Sequence, residues 1–142
     1  NLLGIVELSP TDSQEASKIV TKLIDDFGLS KILNVKGRML SGGQRRKVEI
    51  ARTLISSPNL ILLDEPFAGI DPIAVEEIKE LLKEISKKDI SILITDHNVR
   101  ETLSLCDRAI ILVDGKIIAD GTEKQLKENE YVGQKYFGKM FS

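Results

Sequence analysis

The 142-residue sequence has one cysteine, no long apolar run and no large excess of either charge. The single Cys106 cannot form an internal disulfide, which favours a reducing compartment. The longest apolar runs, Leu60–Leu63 and Ala109–Val113, are too short to span a bilayer. No basic segment followed by an apolar one opens the chain, so secretion is not expected.

The charge balance also excludes classes of partner. Lysine and arginine total 20 residues against 22 aspartates and glutamates, which gives no electrostatic argument for nucleic acid or anionic lipid. The mean hydropathy of -0.06 excludes a disordered polar tail. The length suits one domain, or part of one, with a core of its own.

The hydrophobic pattern changes along the chain and predicts an α/β fold. Residues 14–27 and Ser41–Ser56 show helical spacing, and Gly28 ends the first helix. Short apolar segments then alternate with helices, and such strands are typical of parallel sheets that are buried on both faces. The predicted elements are strands at Asn59–Leu63 and Ser91–Thr95, helices at Pro72–Lys87 and Val99–Leu105, a hairpin of Arg108–Val113 and Lys116–Ala119, and helical stretches at Glu123–Lys127 and Tyr131–Phe137.

The segment Ser41-Gly42-Gly43-Gln44 allows two interpretations. Ser41 with Gln44 three residues later forms the pattern of a capping box, which is a common helix start. A cap alone does not require the two glycines, each of which costs about 1 kcal/mol relative to alanine in a helix. Their bare N–H groups at a positive helix end also suit close approach by a phosphate, so both interpretations stay open here.

Two adjacent carboxylates, Asp64 and Glu65, follow the apolar strand directly. The carboxyl ends of strands are where open α/β sheets bind their ligands. Asp64 there could hold Mg²⁺, and Glu65 could orient or deprotonate a water beside a terminal phosphate. The alternative is that both are solvated residues of a turn that begins at Pro66.

Two further polar positions are weaker signals. His97 follows the next apolar strand, where it could make a polar contact to the same ligand, although a lone histidine is usually structural. Asp71-Pro72 has the pattern of an ordinary helix N-cap followed by a first-turn proline.

Taken in order, these strings resemble the ATP-binding cassette (ABC) ATPases over nearly the whole chain. The matching motifs are the signature at Leu40–Gln44, the Walker B strand at Leu60–Asp64, the catalytic glutamate at Glu65, the D-loop at Ala68–Asp71 and the switch histidine at His97. The segments Glu65–Pro72 and Leu93–Leu103, and the ending Tyr136–Gly138, are similar to the ATPases of bacterial lipopolysaccharide-export transporters. Branched-chain amino-acid importer ATPases share part of this pattern and are the alternative.

One motif of that family is absent. The chain contains no Gly-x-x-x-x-Gly-Lys-Ser/Thr loop, whose amides and lysine cradle phosphates, and its first residue is Asn1 rather than methionine. We therefore expect an incomplete nucleotide-binding domain of the P-loop NTPase type. It would hold the helical subdomain (1–57) and the later half of the catalytic core (58–142), without the Walker A part. Such a piece should expose apolar strand faces and be inactive alone.

The resemblance implies a function for the intact subunit. It would hydrolyse ATP with Mg²⁺ as part of a head-to-tail dimer, together with two transmembrane subunits, on the cytoplasmic face of the inner membrane. Asp64 would help to hold the metal, Glu65 would activate water and His97 would contact the γ-phosphate. The residues implied to meet the nucleotide of the opposite subunit, or to line that interface, are Ser41, Gly42, Gly43, Gln44 and Asp71. A second hypothesis is a non-catalytic module that supplies only a signature helix and a docking surface.

Overall fold

The computed structural model describes residues 13–137. They fall into two compact units that divide after Thr95. The expected boundary between a helical subdomain (1–57) and a core (58–142) rests on a different criterion and stays a prediction.

The first unit contains the three long helices that the apolar spacing predicted. These are α1 (Ser13–Asp26), α2 (Gly42–Leu54) and α3 (Pro72–Ser86), and their bounds confirm the predicted ranges to within two residues at either end. α1 ends before Gly28, whose φ of 61° lies in the left-handed region that glycine adopts without strain. Two short 3₁₀ turns, Ser30–Ile32 and Gly37–Met39, connect α1 to α2.

A two-stranded parallel sheet completes this unit. β1 (Leu60–Asp64) pairs with β2 (Ser91–Thr95) in a register that places Asp64 opposite Thr95. α3 connects the two strands and packs against β2 and α2. The apolar side chains buried in this unit include Val20, Leu23, Phe27, Ile50, Ile55, Ile61, Leu63, Ile78, Leu82 and Ile85.

The prediction that these strands are buried on both faces is wrong for this chain. Ile61 and Leu63 are buried, but Leu60, Leu62 and Leu93 expose 53%, 67% and 57% of their surface. Alternate residues of a strand point to opposite faces, so these three leucines share one face. Nothing within residues 13–137 covers that face, which confirms the expectation of exposed apolar strand surface.

The second unit is built around an antiparallel hairpin. β3 (Ala109–Val113) and β4 (Lys116–Gly121) are joined by Asp114-Gly115. Both turn residues have positive φ, 51° and 74°, as a type I′ turn requires, which confirms the predicted hairpin.

Short helices close this unit: α4 (Val99–Leu103), α5 (Glu123–Glu128) and α6 (Glu130–Val132), followed by a π-helical turn at Gly133–Phe137. They enclose a small core of Leu103, Ile111, Ala119, Leu126 and Val132. Of the predicted ending Tyr136–Gly138, Gly138 lies outside the described residues.

Two ionisable features belong to this second unit. The Arg108 guanidinium donates to both carboxylate oxygens of Asp120, at 2.8 and 2.7 Å, and these hydrogen bonds lower the pKa of Asp120. Burial raises the pKa of the Cys106 thiol, and the charge of Asp107 adds to this effect. Cys106 is therefore a weakly reactive thiol at neutral pH.

Candidate functional site

The start of α2 is held by a reciprocal capping box. The Ser41 amide donates to Oε1 of Gln44 at 3.0 Å, and the Gln44 amide donates to Oγ of Ser41 at 3.2 Å. Two of the amides that a helix start leaves without partners are thus satisfied locally. The capping interpretation of this segment is confirmed, and it leaves the phosphate interpretation open.

The two glycines have a packing reason that the sequence did not reveal. A Cβ on Gly43 would lie 2.5 Å from Cβ of Ala74, at the start of α3. A Cβ on Gly42 would lie 2.9 Å from Cγ2 of Ile70 and 3.2 Å from the Gly69 carbonyl oxygen. The first turn of α2 therefore lies directly against residues 69–74, and side chains here would separate the two segments.

Asp71 caps α3, as predicted. Its Oδ1 accepts a hydrogen bond of 3.0 Å from the Ala74 amide, and Pro72 occupies the first helical position. The structure also brings Asp71 next to the signature segment. An open cleft of about 240 Å³ is lined by Ser41, Gly43, Gln44, Lys47, Asp71, Ile73, Ala74 and Glu77.

The cleft joins the N-termini of α2 and α3, which both carry partial positive charge. Along one side Nζ of Lys47 forms a 2.7 Å ion pair with Oε2 of Glu77. The helix N-termini favour an anionic group in this cleft, whereas the Lys47 charge is already balanced by Glu77 and the Asp71 carboxylate lies at the start of α3.

Asp64 and Glu65 lie at the carboxyl end of β1, and both are exposed. Thr95 lies opposite Asp64 in the sheet, and its hydroxyl donates a hydrogen bond of 2.5 Å to Oδ1 of Asp64. The Glu65 amide donates to the Thr95 carbonyl oxygen at 2.7 Å. One threonine on β2 therefore holds the side chain of the first acid and the backbone of the second.

Glu65 occupies a strained backbone conformation. Its φ is 45°, a left-handed value that costs a residue with a side chain about 1–3 kcal/mol. Arg46 of α2 supports it, because Nη2 of the guanidinium donates to the Glu65 carbonyl oxygen at 3.1 Å. Such strain at an exposed acid is typical of functional sites, where surrounding contacts keep the residue in place.

His97 belongs to the second unit. Its side chain is 75% exposed, and Nδ1 lies 3.9 Å from Oδ1 of Asp96, whose own side chain is buried. That same carboxylate oxygen accepts a 2.7 Å hydrogen bond from the Asn98 amide. Asp96 therefore fixes the turn from which His97 projects.

The donor set fits a magnesium ion that is also bound by phosphate. No cluster of three or more metal-ligating side chains exists among residues 13–137. Mg²⁺ does not need one, since it is usually held by one or two carboxylates together with waters and substrate phosphates. Asp64 offers such a carboxylate, with one oxygen oriented by Thr95.

Sequence reasoning missed Arg46 and Thr95. Thr95 could have been found, because two parallel strands that each end in polar residues place those ends side by side. Arg46 gave no such signal, because no pattern in the sequence shows which side chain of α2 reaches the Glu65 carbonyl.

Known proteins match this chain in sequence. A family model described as "ABC transporter" matches residues 3–68. The lipopolysaccharide export system ATP-binding protein LptB of Acidithiobacillus ferridurans is 47% identical over 141 residues, and that of Haemophilus influenzae is 46% identical over 142. Each alignment covers 99% of this chain but only 58% and 59% of the respective relative.

Solved structures agree. The ADP conformation of MJ1267, an ATP-binding cassette of an ABC transporter, has a TM-score of 0.77 and 32% identity, and the match covers 91% of this chain and 52% of MJ1267. CbiO1 of Clostridium perfringens, part of the ABC transporter complex CbiONQ, gives 0.81 and 30%, with 98% and 55% coverage.

None of the helices within residues 13–137 combines the length and the apolar character that crossing a bilayer demands. The α/β content, the order of motifs and the matches in sequence and structure agree with one another. The chain belongs to the ABC transporter ATPase family and comprises part of that family's ATPase domain.

Proposed function

We propose that this chain is part of the ATP-binding subunit of a lipopolysaccharide export transporter, which hydrolyses ATP to ADP and phosphate. The proposal is supported by the identity of 41–47% to LptB proteins over 99% of the chain. Because the chain spans just under 60% of those relatives, we assign the activity to a full-length subunit that contains it.

One observation carries the catalytic part of the proposal: two adjacent exposed carboxylates end a strand, and the backbone of the second is strained. We assign Asp64 to Mg²⁺ and Glu65 to the attacking water, from which it accepts a proton. When bound, Mg²⁺ would neutralise charge on the phosphates of ATP. Thr95 keeps Asp64 oriented, and the fixed backbone keeps Glu65 at one place on the strand end.

The cleft at the helix starts supports a shared site. We assign Ser41, Gly42, Gly43 and Gln44 to the nucleotide held by a second copy of the subunit, in a head-to-tail dimer. The positive N-terminus of α2, which lines the cleft, favours its phosphates. Asp71 lines this interface, and His97 contacts the γ-phosphate.

The remaining assignments concern the assembly. Two transmembrane subunits would complete the transporter, and the ATPase dimer would lie at the cytoplasmic face of the inner membrane. We do not assign nucleic acid as a partner of this assembly. The relatives' role in lipopolysaccharide export supports these assignments.

The first test replaces the proposed base in the full-length subunit. Glu65→Gln keeps the shape but cannot accept the proton, so steady-state hydrolysis should fall by about 10²–10⁴-fold while ATP binding is retained. Glu84→Gln is the matched control, since Glu84 lies on an exposed turn of α3 and should leave turnover unchanged. Turnover of Glu65→Gln within about threefold of wild type would remove Glu65 from this role.

A mixing experiment tests the shared site. Ser41→Arg should block closure over the opposite nucleotide and therefore abolish hydrolysis. Mixed with the Glu65→Gln subunit, it would form one site from an intact Glu65 and an intact Ser41. Activity that reappears only in the mixture supports the head-to-tail dimer, and a mixture that stays inactive contradicts it.

The cargo is tested in cells. The full-length subunit should restore lipopolysaccharide at the surface of bacteria depleted of their own LptB, and the Glu65→Gln form should not. Failure of the wild-type form in cells, with ATPase activity intact in vitro, would leave the enzyme assignment standing and exclude this cargo.

The 142-residue chain alone should neither hydrolyse nor tightly bind Mg-ATP. Asp64 and Glu65 repel a polyphosphate unless donors offset them, and the sequence has no phosphate loop to supply these. Losing two hydrogen bonds to charged groups already weakens binding by more than about a hundredfold. Calorimetric titration with Mg-ATP checks this, and micromolar affinity would contradict it.

A further inference from the structure

Arg46 joins α2 to the turn that follows β1. Its guanidinium makes two contacts: Nη1 donates to Oε2 of Glu49 at 2.9 Å, and Nη2 donates to the carbonyl oxygen of Glu65 at 3.1 Å. The side chain is only 26% exposed, so these hydrogen bonds are partly shielded from water. The contact crosses from the signature helix to the proposed catalytic residue within one unit of the chain.

The peptide groups on either side of Glu65 are fixed from separate elements. On the N-terminal side, the Glu65 amide donates to the Thr95 carbonyl of β2 at 2.7 Å. On the C-terminal side, the Glu65 carbonyl accepts from Arg46 and, at 3.2 Å, from the Ala68 amide. With φ at 45°, the backbone needs such contacts to hold the conformation that directs its side chain.

We propose that Arg46 is a positioning residue for Glu65, through which the signature helix controls where the catalytic carboxylate lies. This inference rests on the proposed function, in which Glu65 activates water. In the head-to-tail dimer, the start of α2 meets the nucleotide of one composite site, whereas Glu65 of the same subunit acts at the other. A shift of α2 at the first site therefore moves the Glu65 carbonyl at the second.

The neighbouring basic residues do not duplicate this contact. Lys47 is paired with Glu77 at 2.7 Å, and Arg45 is exposed. A planar guanidinium can donate to a carboxylate and to a carbonyl at once, which a lysine ammonium at the same position does with poorer geometry. Arg46 is thus the basic residue of this helix that reaches the Glu65 backbone.

The test compares three variants of the full-length subunit. Arg46→Gln should lower kcat by about tenfold or more, with the KM for ATP within about twofold, because only the placement of the base changes. Arg46→Lys should recover part of the rate, since it keeps one donor and the charge. Glu49→Gln is the matched control: it removes the ionic partner of Arg46, leaves the carbonyl contact and should keep kcat within about twofold.

A double-mutant cycle separates positioning from general damage. In Glu65→Asp the carboxylate is already displaced, so adding Arg46→Gln should lower kcat much less than it does with Glu65 present. An equal loss of kcat with Glu65 present and in the Glu65→Asp background would overturn the inference. So would a loss of kcat that is proportional to a loss of melting temperature, or one that appears equally in Glu49→Gln. If Glu65→Gln itself retained turnover, the proposed function would fail before this inference was reached.

Discussion

The backbone at Gly42 and Gly43 is regular helix, whereas the backbone at Glu65 has a left-handed φ of 45°. Both segments are expected to approach nucleotide, yet different forces hold them. The first is fixed by a capping box and by close packing against residues 69–74. The second is fixed by hydrogen bonds from Arg46 and to Thr95, which come from other elements.

This difference indicates which segment tolerates change. A relaxed, close-packed helix start loses stability when volume is added, but its conformation does not depend on distant residues. A strained turn gains stability when the strain is removed and loses the placement of its side chain. Adding side chains at Gly42 or Gly43 should therefore lower stability. Relieving the strain at Glu65 should instead raise stability and lower activity.

The largest effect is expected for Glu65→Gly in the full-length subunit. Glycine adopts the left-handed conformation freely, so the free energy of unfolding should stay equal or rise by about 0.5 kcal/mol. Turnover should fall by about 10²–10⁴-fold because the base is gone. Denaturant unfolding and an ATPase assay measure the two quantities.

Ser57→Gly is the matched control for that experiment. Ser57 also has a left-handed φ, 48°, and it lies outside the proposed site. It should show the same small change in stability with unchanged turnover. A clear destabilisation in both variants would mean that the left-handed backbone carries no strain.

Gly43→Ala should have the next largest effect, on stability. The added methyl would lie 2.5 Å from Cβ of Ala74, so α2 and the start of α3 must separate, at a cost of about 1–3 kcal/mol. Gly42→Ala is the comparison, since its methyl would meet Cγ2 of Ile70 at 2.9 Å and the Gly69 carbonyl oxygen at 3.2 Å, both longer than the 2.5 Å contact at Gly43. Its free energy of unfolding should change by less than about 1 kcal/mol. Equal melting temperatures for the two variants would contradict the packing explanation.

Thr95→Val should have the smallest effect. Valine keeps the shape and the strand preference but removes the hydroxyl that donates to Asp64. The Mg²⁺ concentration for half-maximal turnover should rise about tenfold, as for other losses of a group that orients a metal ligand. Thr95→Ser, which restores the donor, should return it towards wild type. Unchanged Mg²⁺ dependence would mean that Thr95 does not orient the ligand.

Local signals in the sequence predicted much of the fold. The Ser41 and Gln44 pair, the Asp71-Pro72 start and the Asp114-Gly115 turn each depend on neighbouring residues, and each was confirmed. The position of Asp64 and Glu65 at the end of a strand also depends on neighbouring residues, and it was confirmed as well.

Features that depend on how helices pack against other elements could not be predicted. The glycines at positions 42 and 43 suggested a phosphate, because the sequence does not show that Ile70 and Ala74 lie against them. The contact between Arg46 and the Glu65 carbonyl likewise depends on how α2 packs. The prediction that both faces of the sheet are buried was wrong, because the sequence of an apolar strand does not show which other elements are present to cover it.

The exposed leucines of β1 and β2 also set how strongly two copies of this chain can associate. Burying the exposed half to two-thirds of Leu60, Leu62 and Leu93 would contribute about 1–2 kcal/mol each, or about 3–6 kcal/mol per copy and about 6–12 kcal/mol when two copies pair through this face. Association itself costs about 4–15 kcal/mol in lost translational and rotational freedom. The gain and the cost are therefore of similar size, so pairing through this face alone would be weak and would depend on concentration. Dilute solutions consequently suit work on the isolated chain.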